Sequence, residues 1–454
     1  MTSLCHKVKP LIHHWLLIFA ATALAVTAAA AEPADDEPLK RGSHTRLGAR
    51  YISTDGTLEI TVAGKKQYYN PSDTSTRDRD ILSPKSVNIH PSGRKFYVNS
   101  LEGGRTVVYD MATMRKTATI SHRICQTHRK LWTDDGGLFK FTHYTDRADV
   151  NTFMGRPVES AFSHHGRYLW IPYYRRSFDI NAQDPSAIAV VDTRCDSIIR
   201  LFPTGALPKM IAASPDGRYI AVAHWGENTV GIIEISSPDP TLWRYRTCIT
   251  IDHKLNLDLS LTDPVDRDNG SGLALRGTVF TPDNRYVLIG CMGGGGIAVI
   301  DLASMKYLGK IYGMMPNIRH LTISGDYLYL SANRSGHIQR MPLSSIYEAI
   351  GNISNRAVTL DGWQTAKVDK GARTITVTPD GRYVIAACNS ASTVVIVDTR
   401  TMKRIATLPA DSFPVGMDLS ADGSLLFVTS QGRKDYTFAG NCVTIYRLKY
   451  LSQD

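Results

Sequence analysis

At 454 residues, 43% of them hydrophobic and 21% charged, the chain is long enough for several domains or one large repeat array and too apolar for a disordered polymer. Lys and Arg number 52 against 42 Asp and Glu, a net charge of +10 that suits acidic polymers or anionic surfaces as partners. Seven cysteines with no Cys-x-x-Cys pair and no Cys-x-x-Cys-His exclude a ribbon-type zinc site and a c-type haem attachment.

In chain order, the first predicted element is a leader. Lys7, Lys9, His13 and His14 flank an apolar run from Trp15 to Val26, and Ala28 to Ala31 follow before Glu32. A basic start, a short apolar stretch and an Ala-x-Ala end describe a signal peptide over 1–31, with a retained anchor as the alternative. Cys5 precedes the apolar run, which is the wrong side for a lipoprotein cysteine. The reading is therefore an exported protein, periplasmic or at the cell surface, with a flexible linker over 32–50 and one folded unit over 51–450. Among the six later cysteines, Cys291 and Cys388 read as buried free thiols, and Cys195 with Cys248 is the best disulfide guess in an oxidising compartment.

A strand-like segment, Thr57 to Ala63, precedes a unit that recurs seven times, with copies beginning near His90, Ser163, Ser214, Thr281, Ile323, Thr378 and Ser420. The clearest is TPDGRYVIAACNSASTVVIVDTRTMKRIATL from Thr378. It predicts strands at Arg373 to Thr378, Tyr383 to Cys388, Thr393 to Asp398 and Arg404 to Leu408. Pro379-Asp380-Gly381 marks the first turn. The last turn recurs as DMATMR from Asp110, DLASMK from Asp301 and DTRTMK from Asp398. One such unit cannot bury its own apolar strands, so copies must pack side by side. Four antiparallel strands repeated radially make an all-β, seven-bladed propeller. A solenoid would need capping ends that the sequence lacks. The last copy stops after its third strand, so Thr57 to Ala63 is expected to supply the fourth and close the ring, removing two exposed edges.

The run Pro-Asp-Gly-Arg-Tyr-Val, then Asn, then Thr-Val-x-x-Ile-Asp resembles the YVTN-type seven-bladed propeller repeat, with FYVNS at Phe96 and VIAACNS at Val384 matching its second strand. His164-His165-Gly166 in copy two and the shortened Gly325-Asp326 in copy five depart from it. The resemblance implies a bacterial exported scaffold for binding more than any single chemistry.

Almost every long connection falls on one face of such a propeller: Ser121 to Gly155, Tyr173 to Ser186, Asp252 to Leu275 and Gln431 to Asn441. Long loops on a rigid scaffold are where binding sites usually sit. Tyr173, Tyr174, Arg175 and Arg176 open the second of these, and His224 and Trp225 occupy the matching place one blade later. Aligned on their turns, five copies start the innermost strand with a cation: Lys85, Lys209, Arg276, Arg319 and Arg373. Val158 and Val415 fill the place in the other two. These side chains are expected to form a partial ring of positive charge at the channel mouth, with His224 and His320 near it, able to grip a carboxylate, sulfate or phosphate. Alternatively, they pair with local acids such as Glu159 and Asp418.

The remaining signals are weaker. Gly293 to Gly296 lies between two strands and reads as a hairpin, because a phosphate loop needs a following helix and lysine. Asp263, Asp266, Asp268 and Asn269 lack the EF-hand register and read as a solvated loop. No residue is assigned to a metal or a cofactor. The leading expectation is a monomeric, non-catalytic protein whose long-loop face binds an anionic ligand, namely an acidic glycan, a nucleic-acid strand or an acidic peptide, or an envelope protein. The alternative is a propeller enzyme of lactonase or quinoprotein-like type, with Glu159, Asp418, His320 and Arg319 as its candidate groups.

Overall fold

The computed structural model describes residues 45–70, 73–139, 152–255, 272–432 and 440–451. The strands run from Arg50 to Tyr450 and sort into seven antiparallel sheets of four to six strands, one per blade. In the sixth blade the order is Ala372–Val377, Tyr383–Cys388, Thr393–Asp398 and Lys403–Pro409, from the innermost strand outward.

Local chemistry explains the meander. In the first turn of this blade the Thr378 hydroxyl donates to Asp380 at 2.5 Å, Asp380 accepts from the Arg382 N–H at 3.0 Å, and Gly381 adopts a φ of 71°. Ser214 with Asp216, Thr281 with Asp283, and Ser420 with Asp422 repeat the device. In the last turn the aspartate caps the backbone instead. Asp110, Asp301 and Asp398 each accept an N–H three residues on, at 2.8 Å.

Seven apolar clusters lie between neighbouring blades, each drawing on two of them. The cluster that settles the architecture joins the first blade to the last: Val87, Phe96 and Val98 pack on Phe427, Val443 and Ile445. Phe96 and Phe427 lie 4.7 Å apart, centroid to centroid. An open solenoid has no such contact. The ring is also closed by hydrogen bonds, because Leu58–Gln67 pairs antiparallel with Cys442–Tyr450 as the fourth strand of the last blade. Arg50–Ile52 then adds a fifth. This closure covers the edge that Cys442–Tyr450 would otherwise leave open.

Two departures are found. In the fifth blade the last turn is replaced by a helix, Leu343–Gly351, and a short strand, Ala357–Thr359, that pairs in parallel with the outer strand of the fourth blade. This elaboration lies on the face expected to carry tight turns in nearly every copy. The other concerns cysteine. All six described cysteines are free thiols, Cys195 and Cys248 included, which corrects the disulfide expectation. Cys195 sits in a turn of the second blade and Cys248 in the outer strand of the third. The leader, the linker up to residue 44 and the Asp263–Asn269 cluster lie outside the described residues. No described helix is long and apolar enough to cross a membrane.

Candidate functional site at the channel mouth

Six of the seven innermost strands change register near their first residue. The shifts fall between Pro84 and Ser86, Pro208 and Met210, Leu275 and Thr278, Ile318 and His320, Ala372 and Ile375, and Pro414 and Gly416. In the second blade the strand breaks there outright, between Phe153–Pro157 and Ala161–Ser163. A bulge inserts an unpaired residue and re-aims its side chain. The inserted positions hold Lys85, Lys209, Arg276, Arg319, Arg373 and Val415, so five cations and one valine share one level of the ring. The inner strands also approach closely here. A Cβ on Gly277 would stand 2.6 Å from the Leu321 nitrogen, and one on Gly416 would stand 2.7 Å from the Lys85 carbonyl oxygen.

The cations converge. Lys85, Arg276, Arg319 and Arg373 are buried, at 3%, 2%, 7% and 7% exposure, while Lys209 is half-buried. Glu159, in the break of the second blade, lies 3.4 Å from Lys85 Nζ and 3.6 Å from Arg276 Nη2. Burial alone would raise its pKa, but Lys85, Arg276, Arg373 and His320 hold it below the ordinary glutamate value, so it is a carboxylate at neutral pH. Lys85 is driven well below the usual lysine range, first by burial and then by Arg373, with Glu159 opposing. Lys209 is also driven well down, by burial and then by Arg276, Lys85, Arg373 and Arg319. Burial pushes His320 down to about 4, which leaves a neutral imidazole beside Glu159.

Aromatic rings complete the mouth. Lys209 Nζ stands 3.9 Å from the ring centroid of Tyr174 and 5.0 Å from that of Trp225. The Arg276 guanidinium lies 5.7 Å from Trp225 and that of Arg373 lies 5.9 Å from Phe413. Such cation–π contacts partly replace lost hydration. Trp225 is itself packed into an apolar cluster with Leu207, Ala274 and Met292, which fixes its ring.

The other sequence candidates lie elsewhere. His224 is fully buried between the second and third blades, hydrogen-bonded to Thr204 Oγ1 of the second at 2.7 Å and Thr229 Oγ1 of the third at 2.9 Å, so its expected place at the channel mouth is corrected. Burial lowers it to about 3. Tyr173 is equally buried, with its hydroxyl 3.0 Å from His122 Nδ1 in the core between the first two blades, and presents no surface to a ligand. Arg176 is buried over the Phe178 ring at 4.7 Å, and Arg175 Nη1 donates to the Ser177 carbonyl at 3.2 Å. Both are held by their own loop. Asp418 accepts the Ile89 N–H at 2.6 Å and joins the inner strands of the last and first blades, which gives it an architectural place in contrast to its candidacy as an acid. Phe413 went unnoticed in the sequence because nothing periodic marks it. The parts of the long loops at 140–151, 256–271 and 433–439 lie outside the described residues.

Residues 197–447 match the family described as "Lactonase, 7-bladed beta-propeller". Among solved structures the chain is similar to the hydrazine synthase of Kuenenia stuttgartiensis, at 15% identity and a TM-score of 0.55, over 85% of this chain and 100% of that one. It is also similar to the β-propeller domain of Cps50 (Swd1) from Myceliophteria thermophila, at 13% identity and a TM-score of 0.53, over 82% of this chain and 97% of the other. At these identities the likeness is one of fold. No curated protein sequence matches the chain.

Proposed function

We propose, for a chain that belongs to the seven-bladed β-propeller lactonase family, that the channel mouth binds a small organic anion. The observation that supports the reading is the set of bulges that puts Lys85, Lys209, Arg276, Arg319 and Arg373 at one level of the ring, with Glu159 at 3.4 Å from Lys85 and 3.6 Å from Arg276. Cations that depress one another's proton affinity store repulsion, and an anion placed among them releases it. Their burial favours a ligand that enters the channel, either a free carboxylate or the exposed end of an acidic glycan, over a strand lying across the face. Titration calorimetry with oxalate, citrate and inorganic phosphate tests this. Binding to the wild-type chain that weakens at least about tenfold in Arg276→Met supports it, and no binding to any of the three overturns it.

A second reading is hydrolysis of a lactone that carries a carboxylate. It is favoured by a charged Glu159 close to a neutral His320, two groups suited to activating water once an anionic substrate is held. Proton release from a carboxylated lactone followed at constant pH, in the wild-type chain and in Glu159→Gln, separates this from binding alone. We further read the repeat as YVTN-type and the protein as exported, readings that rest on the Phe96 and Val384 strand motifs and on the basic-apolar-small pattern of residues 1–31.

A further inference from the structure

Lys209 differs from its neighbours in the mouth. Lys85 has Glu159 at 3.4 Å, and Arg276 has the same carboxylate at 3.6 Å. Lys209 has no carboxylate within ion-pair distance among the described residues, and its amine faces the Tyr174 and Trp225 rings. After burial, the largest electrostatic influences on it come from four other blades, Arg276, Lys85, Arg373 and Arg319, and each of these is a cation. A desolvated amine next to cations loses its proton readily, and a neutral lysine amine is a nucleophile toward carbonyl carbon. The side chain is half-buried, so a ligand entering the mouth can reach it.

We infer that Lys209 is a carbonyl-reactive lysine that forms an imine with a small α-oxo acid whose carboxylate is held by the surrounding cations. The inference rests on the anion-site reading above and deepens it by naming the ligand's second functional group. In the step, the Nζ lone pair attacks the keto carbon and the carbonyl π electrons move to oxygen, which takes a proton. The resulting carbinolamine then loses its hydroxyl and a nitrogen proton as water, leaving a C=N bond. No oxidant or reductant is consumed. Arginine, which stands at three of the other bulges, cannot do this, and the second lysine of the ring, Lys85, is occupied by Glu159 at 3.4 Å.

The test is reductive trapping. The wild-type chain is incubated with pyruvate and cyanoborohydride near neutral pH, and the adducts are mapped by peptide mass spectrometry. Each unit of depression in amine pKa raises the free-amine fraction about tenfold. Labelling at Lys209 is therefore expected to exceed that at the exposed Lys306 and Lys403 by at least about tenfold. Oxalate should protect it in the wild-type chain, and Lys209→Arg should abolish it while keeping the charge. Acetone, a ketone without the carboxylate, should label it poorly. Two failures are distinguishable. If lactate, which has the carboxylate but no carbonyl, binds by calorimetry yet pyruvate leaves no preferential adduct on Lys209, the imine is overturned and the anion site stands. If neither lactate nor pyruvate binds, the anion site falls and the imine with it.

Discussion

Lys65 Nζ lies 2.7 Å from Asp411 Oδ2, with side chains 2% and 0% exposed, so an ion pair is sealed inside the joint that closes the ring. Lys65 belongs to the N-terminal strand of the last blade, and Asp411 to the connection that leads into that blade. Thr45, Thr444 and Cys442 also donate to the same carboxylate oxygen. Removing one member leaves the other charged and dry, at a cost of about 3–5 kcal/mol. Lys65→Met is therefore expected to lower the denaturant midpoint sharply, and the paired change Lys65→Met with Asp411→Leu to recover most of the loss. Equal midpoints for the single variant and the wild-type chain would show that the ring does not depend on this joint.

The same carboxylate makes Cys442 inert. Burial, and after it Asp411, pushes the thiol well above the ordinary cysteine range. Burial raises Cys291 and Cys388 to about 12. The thiolate is the reactive species. A thiol reagent at neutral pH should therefore modify the exposed Cys195 first and leave Cys291, Cys388 and Cys442 untouched until the chain unfolds. Counting modified thiols with time in native buffer and then in denaturant reads the order. Early loss of Cys388 would contradict the packing described.

Much of this architecture was legible in the sequence because its causes are local. The Thr378-Pro-Asp-Gly turn and the Asp398 turn make their own hydrogen bonds, so the strands of the sixth blade fall within a residue or so of the positions read from the letters. The cation positions were legible because each sits at a fixed distance from such a turn. What could not be read is orientation. Side chains alternate across a strand, so a slip of one residue reverses a face. His224 pairs with Pro208 and Thr229 and points toward the second blade, while its neighbour Trp225 reaches the mouth. The bulges were invisible for a related reason. A residue can be seen to begin a strand, but whether it stays in the hydrogen-bonded ladder depends on its register with the second strand of the same blade. The helix at Leu343–Gly351 interrupts a turn whose usual Asp-x-x-Ser/Thr signal is missing from the fifth copy, so the absence itself was the available clue.

Asp418 should make stability fall with rising pH over a limited window. Burial raises its pKa to about 6, against backbone donors from Ile89 and Leu419 that pull it down. The native state therefore holds a proton that the unfolded chain gives up at about pH 4. Between about pH 4 and 6 the folded chain binds more protons than the unfolded one, and stability declines by about 3 kcal/mol across that interval. Asp418→Asn keeps an oxygen acceptor for the Ile89 N–H and should flatten this segment of the stability curve. Asp418→Ala removes the acceptor and should cost about 1–3 kcal/mol at every pH. Chemical denaturation of the three proteins at pH 4, 5, 6 and 7 measures both effects. A slope unchanged in Asp418→Asn would assign it to other groups.

The mouth lysines carry the opposite sign. Lys85 and Lys209 have folded pKa values well below those of an unfolded chain, so the unfolded state binds the extra protons, and their contribution to stability declines as pH falls from about 10 toward the depressed values. An anion reverses this by stabilising the protonated amines. Citrate binding is therefore expected to take up protons, with an apparent enthalpy that varies with the ionisation enthalpy of the buffer, and its affinity should weaken as pH rises. Paired titrations in phosphate-free buffers of low and high ionisation enthalpy measure the uptake directly. Lys209→Arg keeps a permanent charge at that bulge and should reduce the uptake while retaining binding. Lys209→Met should also reduce the uptake, and should weaken citrate as well by removing the charge. Uptake that stays the same in both variants would move the titrating group away from Lys209.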